Sequence, residues 1–282
     1  MITLPTRPPY RDDPAAVRGF VARMDAELAT ALAARPWNPA ELRGPMILAI
    51  DNAAKRASAD DGDPAIAVDL DRAACLGAGL FAGLVAGPGG SVETPLPGGQ
   101  AGVSVSGAAA SPNIGEPLYW RDALLAALAA RNGRAVTILA EVPLALLRGL
   151  APEYPDWFFL EAEALQAFAL RRKDAPERIL AAARAADPNT VEEFSRDMVL
   201  DIVSPELQLA FRTLDRDQAS FDQWMIEAIK GHHHYYDSDD QRRRLPLSQL
   251  ALAPLAMACV AYDLGIRTNV ESDYLPRHII RV

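Results

Sequence analysis

Helical periodicity runs through most of this 282-residue sequence. Asp13-Pro14 is typical of a helix start, because aspartate caps free backbone amides and proline is tolerated in the first turn. Apolar side chains then recur at helical spacing over residues 17–32, and the same spacing returns after each break at proline, glycine or aspartate. The pattern predicts a mainly α protein made of stacked antiparallel helical hairpins, a repeat-like helical array. It lacks the alternation of strands and helices that a parallel sheet requires.

The breaks indicate where individual helices are expected. The predicted helices cover residues 45–57, 119–131, 135–148, 156–172, 175–185, 190–203 and 247–264. Further apolar stripes at residues 73–84, 207–214 and 221–228 each predict another helix. Ser204-Pro205 is expected to separate the helix at 190–203 from the next one, because proline inside a helix removes a hydrogen bond.

Residues 87–117 differ in composition from the rest of the chain. This window holds eight of the eighteen glycines and five prolines. Within it, residues 91–94 and 103–106 alternate polar and apolar side chains on either side of Pro97-Gly98-Gly99. Alternation with a period of two is typical of a strand. We therefore expect one small β-hairpin or a long ordered loop near residues 88–116.

The excess negative charge lies in one stretch, residues 187–240, which we call the acidic segment. It holds thirteen acidic and four basic residues, and its net charge of −9 equals that of the whole chain. Such a field repels nucleic acid and anionic lipid and favours cationic partners, so neither a nucleic-acid partner nor a membrane partner is expected. The alternative is a solvated helical face whose charge serves solubility.

Two features favour a cytoplasmic protein. Residues 1–9 have neither the apolar core nor the cleavage pattern of a signal peptide. Cys75 and Cys259 lie far apart in apolar runs, where reduced, buried cysteines are expected, and their spacing fits no metal site.

No catalytic motif stands out, and the sequence implies no cofactor. The glycines of residues 77–83 miss the spacing of a dinucleotide-binding loop, and no strand precedes them. Gly79, Gly83 and Gly87 are four residues apart, which predicts one helix face that permits close helix packing.

The run His232-His233-His234 is the most unusual local feature. Neighbouring residues on a helix point in different directions, so at most two of these imidazoles could share an ion. Metal binding at His232 and His234 is therefore expected to be adventitious only. A metal-dependent hydrolase using His232, His234 and Asp237 stays open as an alternative function.

Two blocks near the carboxy terminus resemble a known family. The first covers residues 253–265 and includes Pro254 and Cys259; the second is Val270-Glu271-Ser272-Asp273-Tyr274-Leu275-Pro276-Arg277-His278. Agreeing segments lie upstream, at Leu80-Phe81-Ala82, Glu141-Val142-Pro143, Leu146-Leu147, Tyr154, Trp157, Leu165-Gln166 and Phe168. Together they resemble the immunity protein 49 family of bacterial polymorphic toxin systems, over roughly residues 70–280. Ala253 replaces an expected glycine, and the histidine run is not a feature of the family.

We expect a single helical domain over residues 1–282, with amino-terminal helices in 1–62 and a family-like core in 63–282. What the resemblance itself implies is function. It implies an immunity protein without catalytic residues, which binds and neutralises a cognate toxin in the cytosol. A helical scaffold that binds a peptide in its concave face is a further alternative, and the oligomeric state stays open. Tyr274 and the residues around it are interpreted as a folding element.

Charge suggests where a toxin would bind. Many antibacterial toxins are nucleases with cationic substrate surfaces, which an acidic inhibitor can occupy. The acidic segment is therefore predicted to face the toxin, with two tyrosines as aromatic anchors. The predicted partner-binding residues are Tyr235, Tyr236, Asp237, Asp239, Asp240, Glu192 and Glu193.

Overall fold

A computed structural model of the chain describes residues 4–7, 14–99, 102–111 and 114–281. Asp13, the predicted cap of the first helix, lies outside these residues, as does much of the amino-terminal segment in which no signal peptide is expected. Over the described residues the protein is mainly α with one small antiparallel sheet, which confirms the predicted fold class. None of the described helices combines the length and the apolar character needed to cross a bilayer.

The elements follow one another in this order. The helices and strands are α1 (Pro14–Ala33), α2 (Pro39–Ala59), α3 (Ala65–Ala86), β1 (Ser91–Thr94), β2 (Val103–Ser106), α4 (Pro117–Ala129), α5 (Gly133–Ala140), α6 (Leu144–Leu150), α7 (Asp156–Ala169), α8 (Ala175–Ala185), α9 (Glu193–Met198), a π-helical turn (Val199–Val203), α10 (Ser204–Asp215), α11 (Gln218–Asp237), α12 (Asp240–Arg243), a 3-10 turn (Pro246–Gln249), α13 (Leu252–Asp263) and α14 (Arg277–Ile280).

Helices α2 and α3 form an antiparallel hairpin that glycines bring together. A Cβ at Gly83 would lie 2.2 Å from Cγ of Pro39, and one at Gly79 would lie 3.0 Å from Cδ1 of Leu42. The end of α3 therefore meets the start of α2, and only glycine permits this approach. Gly87 does not belong to the predicted packing face, because its positive φ of 68° ends the helix.

The β-hairpin forms where the alternating pattern predicts it. β1 and β2 pair antiparallel, with Ser91 opposite Ser106 and Thr94 opposite Val103. The linker between α1 and α2 joins this sheet through Trp37. Its backbone N–H donates to the carbonyl of Ser104 at 3.0 Å, and its carbonyl accepts from Ser106 at 2.9 Å. The buried Trp37 ring thereby anchors the hairpin against the helices.

Three predicted helix boundaries are wrong, each at a proline. The second helix starts at Pro39 rather than at residue 45, because Asn38 caps its first turn. The predicted helix at 135–148 is two helices, α5 and α6, separated at Pro143. The predicted helix at 247–264 begins as a separate 3-10 turn, and α13 follows only from Leu252.

The break predicted at Ser204-Pro205 is also wrong. Helix α9, the π-helical turn and α10 follow one another without a break, and the N–H of Ser204 donates to the carbonyl of Val199. The wider π turn accommodates Pro205, which has no N–H to donate to the carbonyl of Asp201.

Buried side chains from α1 to α14 form one hydrophobic cluster. Helix α3 is buried along most of its length, and α13 is buried from Leu252 to Cys259 and packs against α4 and α10. Cys75 and Cys259 are both free and buried, as their apolar context predicts. The helices α4, α10, α11 and α13 enclose the candidate site.

Candidate functional site

The three consecutive histidines occupy three different surroundings near the end of α11. His232 is buried, and its ring lies 5.0 Å from the ring of Tyr274. His233 shares a hydrogen bond of 2.8 Å between Nδ1 and the hydroxyl of Tyr274. His234 is exposed and lies 2.7 Å from a carboxylate oxygen of Asp201. Tyr274 is itself buried, in keeping with its interpretation as a folding element.

The histidines do not converge on one ion. In the described part of the chain, no three His, Cys, Asp or Glu side chains are grouped as a metal site requires. Burial lowers the pKa of His232 to about 3, whereas the hydrogen bond and the charge of Asp201 raise the pKa of His234. Asp237 binds the guanidinium of Arg243. This geometry gives no support to the alternative of a hydrolase that uses His232, His234 and Asp237.

Part of the acidic segment is neutralised by the basic run that follows it. Arg243 binds Asp237 and Asp240, each at 2.8 Å. Asp239 instead caps α12, because its carboxylate accepts from the backbone N–H groups of Gln241 and Arg242. Glu192 and Glu193, at the start of α9, are both exposed.

The two predicted anchor tyrosines are half-buried. The guanidinium of Arg242 lies over the ring of Tyr235, 4.2 Å from its centroid. The rings of Tyr235 and Tyr236 meet edge to face with centroids 5.2 Å apart. Tyr236 also lines a cavity.

Two acidic residues of the segment are buried and do not contribute to its surface. Asp201 lies in the π-helical turn, and Glu206 lies in the first turn of α10 with 1% of its surface exposed. Glu206 forms an ion pair with Arg121 of α4. The charge on the outer face is therefore smaller than the sequence count indicates.

The cavity next to Tyr236 has a volume of about 50 Å³, and we call it the anionic cavity. Helices α4, α10, α11 and α13 and the turns before α10 and α13 supply its walls. Its polar lining residues are Arg121, Asp122, Asp201, Glu206, His232 and Tyr236, and its apolar lining residues are Leu125, Ile202, Ala228, Leu247, Leu250, Leu252, Ala253 and Pro254.

One guanidinium group contacts three carboxyl groups beside the anionic cavity. Arg121 binds Glu161 of α7 at 2.9 Å, binds Glu206, and lies 3.8 Å from Asp122. Burial raises the pKa of Glu206 to about 8 and that of Asp122 to about 6, against the attraction of Arg121. Buried carboxylates that outnumber their cations favour the protonated form. The cluster therefore carries more acid groups than its own cation can compensate.

Two polar atoms of the anionic cavity lack a partner. Oε1 of Glu206 and Nε2 of His232 are buried and have no hydrogen bond within the described part of the chain. A hydrogen bond between His232 and the backbone carbonyl of Ser248 acts to raise the pKa of His232, which identifies the imidazole as the donor in that contact. In the neutral ring, the free Nε2 is then an acceptor.

The π-helical turn brings the cavity wall close to α11. A Cβ at Gly231 would lie 2.2 Å from the carbonyl oxygen of Asp201, so only glycine allows this contact. Pro205 cannot supply the N–H that would reach this carbonyl in a regular α-helix. The two features together place Asp201 against the histidine run.

Sequence reasoning missed Arg121, Asp122 and Glu161. The signal available for Arg121 and Glu161 is a charged residue directly beside large apolar residues of a mostly apolar helix, because charged residues are seldom buried unless they are paired. Glu206, which Arg121 binds, lies within the acidic segment, and the sequence does not distinguish it from the exposed acidic residues there. The spacing along the chain could not indicate that these residues meet, since Arg121 and Glu206 are 85 residues apart.

Comparison with known proteins identifies one family. A family model described as Immunity protein 49 matches residues 60–279, which is most of the chain. The match includes α3 to α13, the β-hairpin and every lining residue of the anionic cavity. No curated protein and no solved structure matches the chain.

Proposed function

The chain belongs to the immunity protein 49 family, and from this membership we propose that it binds a cognate bacterial toxin in the cytosol and neutralises it by direct contact. The family match over residues 60–279 is the observation that carries the proposal. The toxin is proposed to be a nuclease, because an acidic surface is complementary to the cationic face with which a nuclease holds its substrate.

Exposed acidic side chains and apolar side chains support a contact surface around α9, α11 and α12. Glu192, Glu193 and Asp197 are exposed, and Arg242 binds Asp197 at 3.4 Å, which brings α9 next to the end of α11. Leu200 lies three residues after Asp197 in the sequence, and Leu245 lies three residues after Arg242. Both leucines are about half exposed. These leucines would add apolar contact area to a surface whose rim is charged.

The proposed function is tested by co-purification with the product of the neighbouring toxin gene. We expect a stable 1:1 complex and protection of cells that express the toxin. Absence of any complex with a neighbouring effector would contradict the function.

The contact surface is tested separately by charge reversal. Asp237, Asp239 and Asp240 hold Arg243 and cap α12, so reversing them to lysine would also disturb the local fold. Glu192→Lys with Glu193→Lys leaves these bonds in place. We expect this variant to lower the association rate at low salt by about tenfold or more. The matched control, Glu27→Lys with Glu177→Lys, makes the same charge change at exposed positions outside the segment; equal effects of both pairs would contradict the surface.

A further inference from the structure

The anionic cavity has more acid groups than its own cation can compensate when they are ionised. Arg121 is the cation among its lining residues, and it already binds Glu161 and Glu206. Glu206 is 1% exposed and His232 is 5% exposed, yet Oε1 of the first and Nε2 of the second have no hydrogen-bond partner among the residues that the structure describes. A buried polar atom without a partner is unfavourable, so an occupant that supplies N–H groups and positive charge would stabilise the site with Glu206 ionised.

The walls and the size of the cavity indicate which chemical groups could occupy it. A volume of about 50 Å³ holds a compact group. Leu125, Leu250 and Ala253 give it an apolar side, along which an alkyl chain can lie. A lysine combines an aliphatic stem with a compact ammonium group that has three donors, whereas the planar guanidinium of arginine is larger.

Two of the residues that line the cavity are partly exposed to solvent. Asp122 retains 23% exposure of its side chain, and Tyr236 is half-buried. The ring of Tyr236 meets the ring of Tyr235, which lies beneath Arg242 on the outside of the molecule. A side chain of a bound partner would therefore enter beside the two tyrosines.

We propose that the anionic cavity receives a lysine side chain of the toxin, whose ammonium group donates to Glu206 and His232 and balances the charge of the Glu206 carboxylate as that group ionises. This inference rests on the proposed function, since it assigns the partner of that function a specific contact. The proposed lysine contact differs from a general attraction between the toxin and the acidic surface, because the contact depends on buried carboxyl groups.

Proton release distinguishes the cavity from the surface. The groups that face Glu206 are Arg121, Asp122, Glu161, Asp201, His232 and Tyr236, and burial makes Glu206 hold its proton at pH 7. An entering ammonium group favours the carboxylate and expels that proton. Calorimetry at pH 7 in buffers of different ionisation enthalpy should therefore show release of about one proton on toxin binding.

Glu206→Gln and Glu177→Gln form a matched pair, because each removes one carboxyl group, and Glu177 is exposed outside the acidic segment. We expect Glu206→Gln to weaken toxin binding by about thirtyfold and to abolish proton release. Glu177→Gln should keep the release and change affinity less than about threefold. Equal affinity and equal proton release in both variants would overturn the cavity contact while leaving the proposed function intact. Failure of the unmodified chain to bind the toxin would overturn both.

A third measurement uses the unmodified protein and does not depend on the folding of any variant. Carbodiimide joins a carboxylate directly to an amine that contacts it. In the toxin complex we expect a cross-link between a toxin lysine and Asp122, whose side chain is 23% exposed and open to the reagent, identified by mass spectrometry. Without toxin, n-butylamine should raise the melting temperature more than n-butanol does. Cross-links confined to Glu192 and Glu193, or no difference between amine and alcohol, would overturn the inference.

Discussion

Glu206 stabilises the fold differently at different pH values. Its folded-state pKa is raised by burial from 4.5 to about 8. Below pH 4.5 the folded and unfolded states both hold the proton. As pH rises toward 8, the unfolded state loses the proton more readily, so the free energy of unfolding falls.

Glu206→Gln should remove this dependence. We expect the free energy of unfolding, measured with urea from pH 5 to pH 8, to decline less in the variant than in the unmodified chain, by on the order of 2 kcal/mol. Glu192→Gln reports the general effect of removing one negative charge at an exposed position. If Glu206→Gln and the unmodified chain have parallel pH profiles, Glu206 is not the group that holds the proton.

His232 and His234 should titrate far apart. Burial keeps His232 neutral above about pH 3, and Asp201 raises the pKa of His234 above its ordinary value of 6.5. Histidine NMR signals followed over pH 5 to 8 should show a constant signal for the His232 ring. The His234 ring should become protonated at a higher pH than an ordinary histidine does. Asp201→Asn should lower the midpoint of His234 and leave His232 unchanged. A shift of both rings would contradict the separate surroundings.

At the scale of elements, Gly231 fixes how α11 approaches the π-helical turn. Gly231→Ala would place a Cβ 2.2 Å from the carbonyl of Asp201 and should lower the free energy of unfolding by about 1–3 kcal/mol. Gly44→Ala is the control, because nothing lies within 4 Å of its Cβ position in α2. That change should raise stability by about 0.5–1 kcal/mol. Thermal and urea unfolding would measure both, and a neutral Gly231→Ala would contradict the close contact.

The elements that the sequence predicts well are those set by local signals. The strands of the β-hairpin match residues 91–94 and 103–106, because alternation and the intervening Pro97-Gly98-Gly99 act over a few residues. Proline gave wrong boundaries because its effect depends on its position in the turn. Pro205 is accommodated by a π-helical turn, and Pro143 separates two helices that share one apolar pattern.

At the scale of the whole molecule, the candidate site could not be predicted from spacing. The anionic cavity takes its polar groups from α4, the π-helical turn, α10 and α11. Within its own segment, each of these groups fits an ordinary local role, such as an exposed charge on a helix. Glu206 belongs to a run of negative charge whose other members are mostly exposed, and only the tertiary structure separates it from them. The histidine run was recognised as unusual, but its division among three surroundings depends on Tyr274 and Asp201.

Arg131 joins the middle of the chain to its carboxy-terminal end. Its Nε donates to both carboxylate oxygens of Asp263, at 3.0 and 3.1 Å. Its two terminal nitrogens donate to the carbonyls of Ile279 and Ile280, each at 2.8 Å. These bonds satisfy backbone carbonyls near the end of α14, a short helix that α13 also contacts.

Arg131→Ala should therefore release the carboxy-terminal end without unfolding the rest. We expect faster hydrogen exchange at residues 277–281 and a loss of about 2 kcal/mol in the free energy of unfolding, because hydrogen bonds to a charged group are removed. Arg171→Ala is the matched control, since Arg171 also follows a helix with positive φ, 51° against 55° for Arg131. Both variants change the strain of a left-handed residue, but Arg131 alone of the two donates to Ile279 and Ile280 among the described contacts. Similar exchange in both variants would mean that α14 is held by its apolar contacts, Ile279 and Ile280 being buried, and not by the guanidinium.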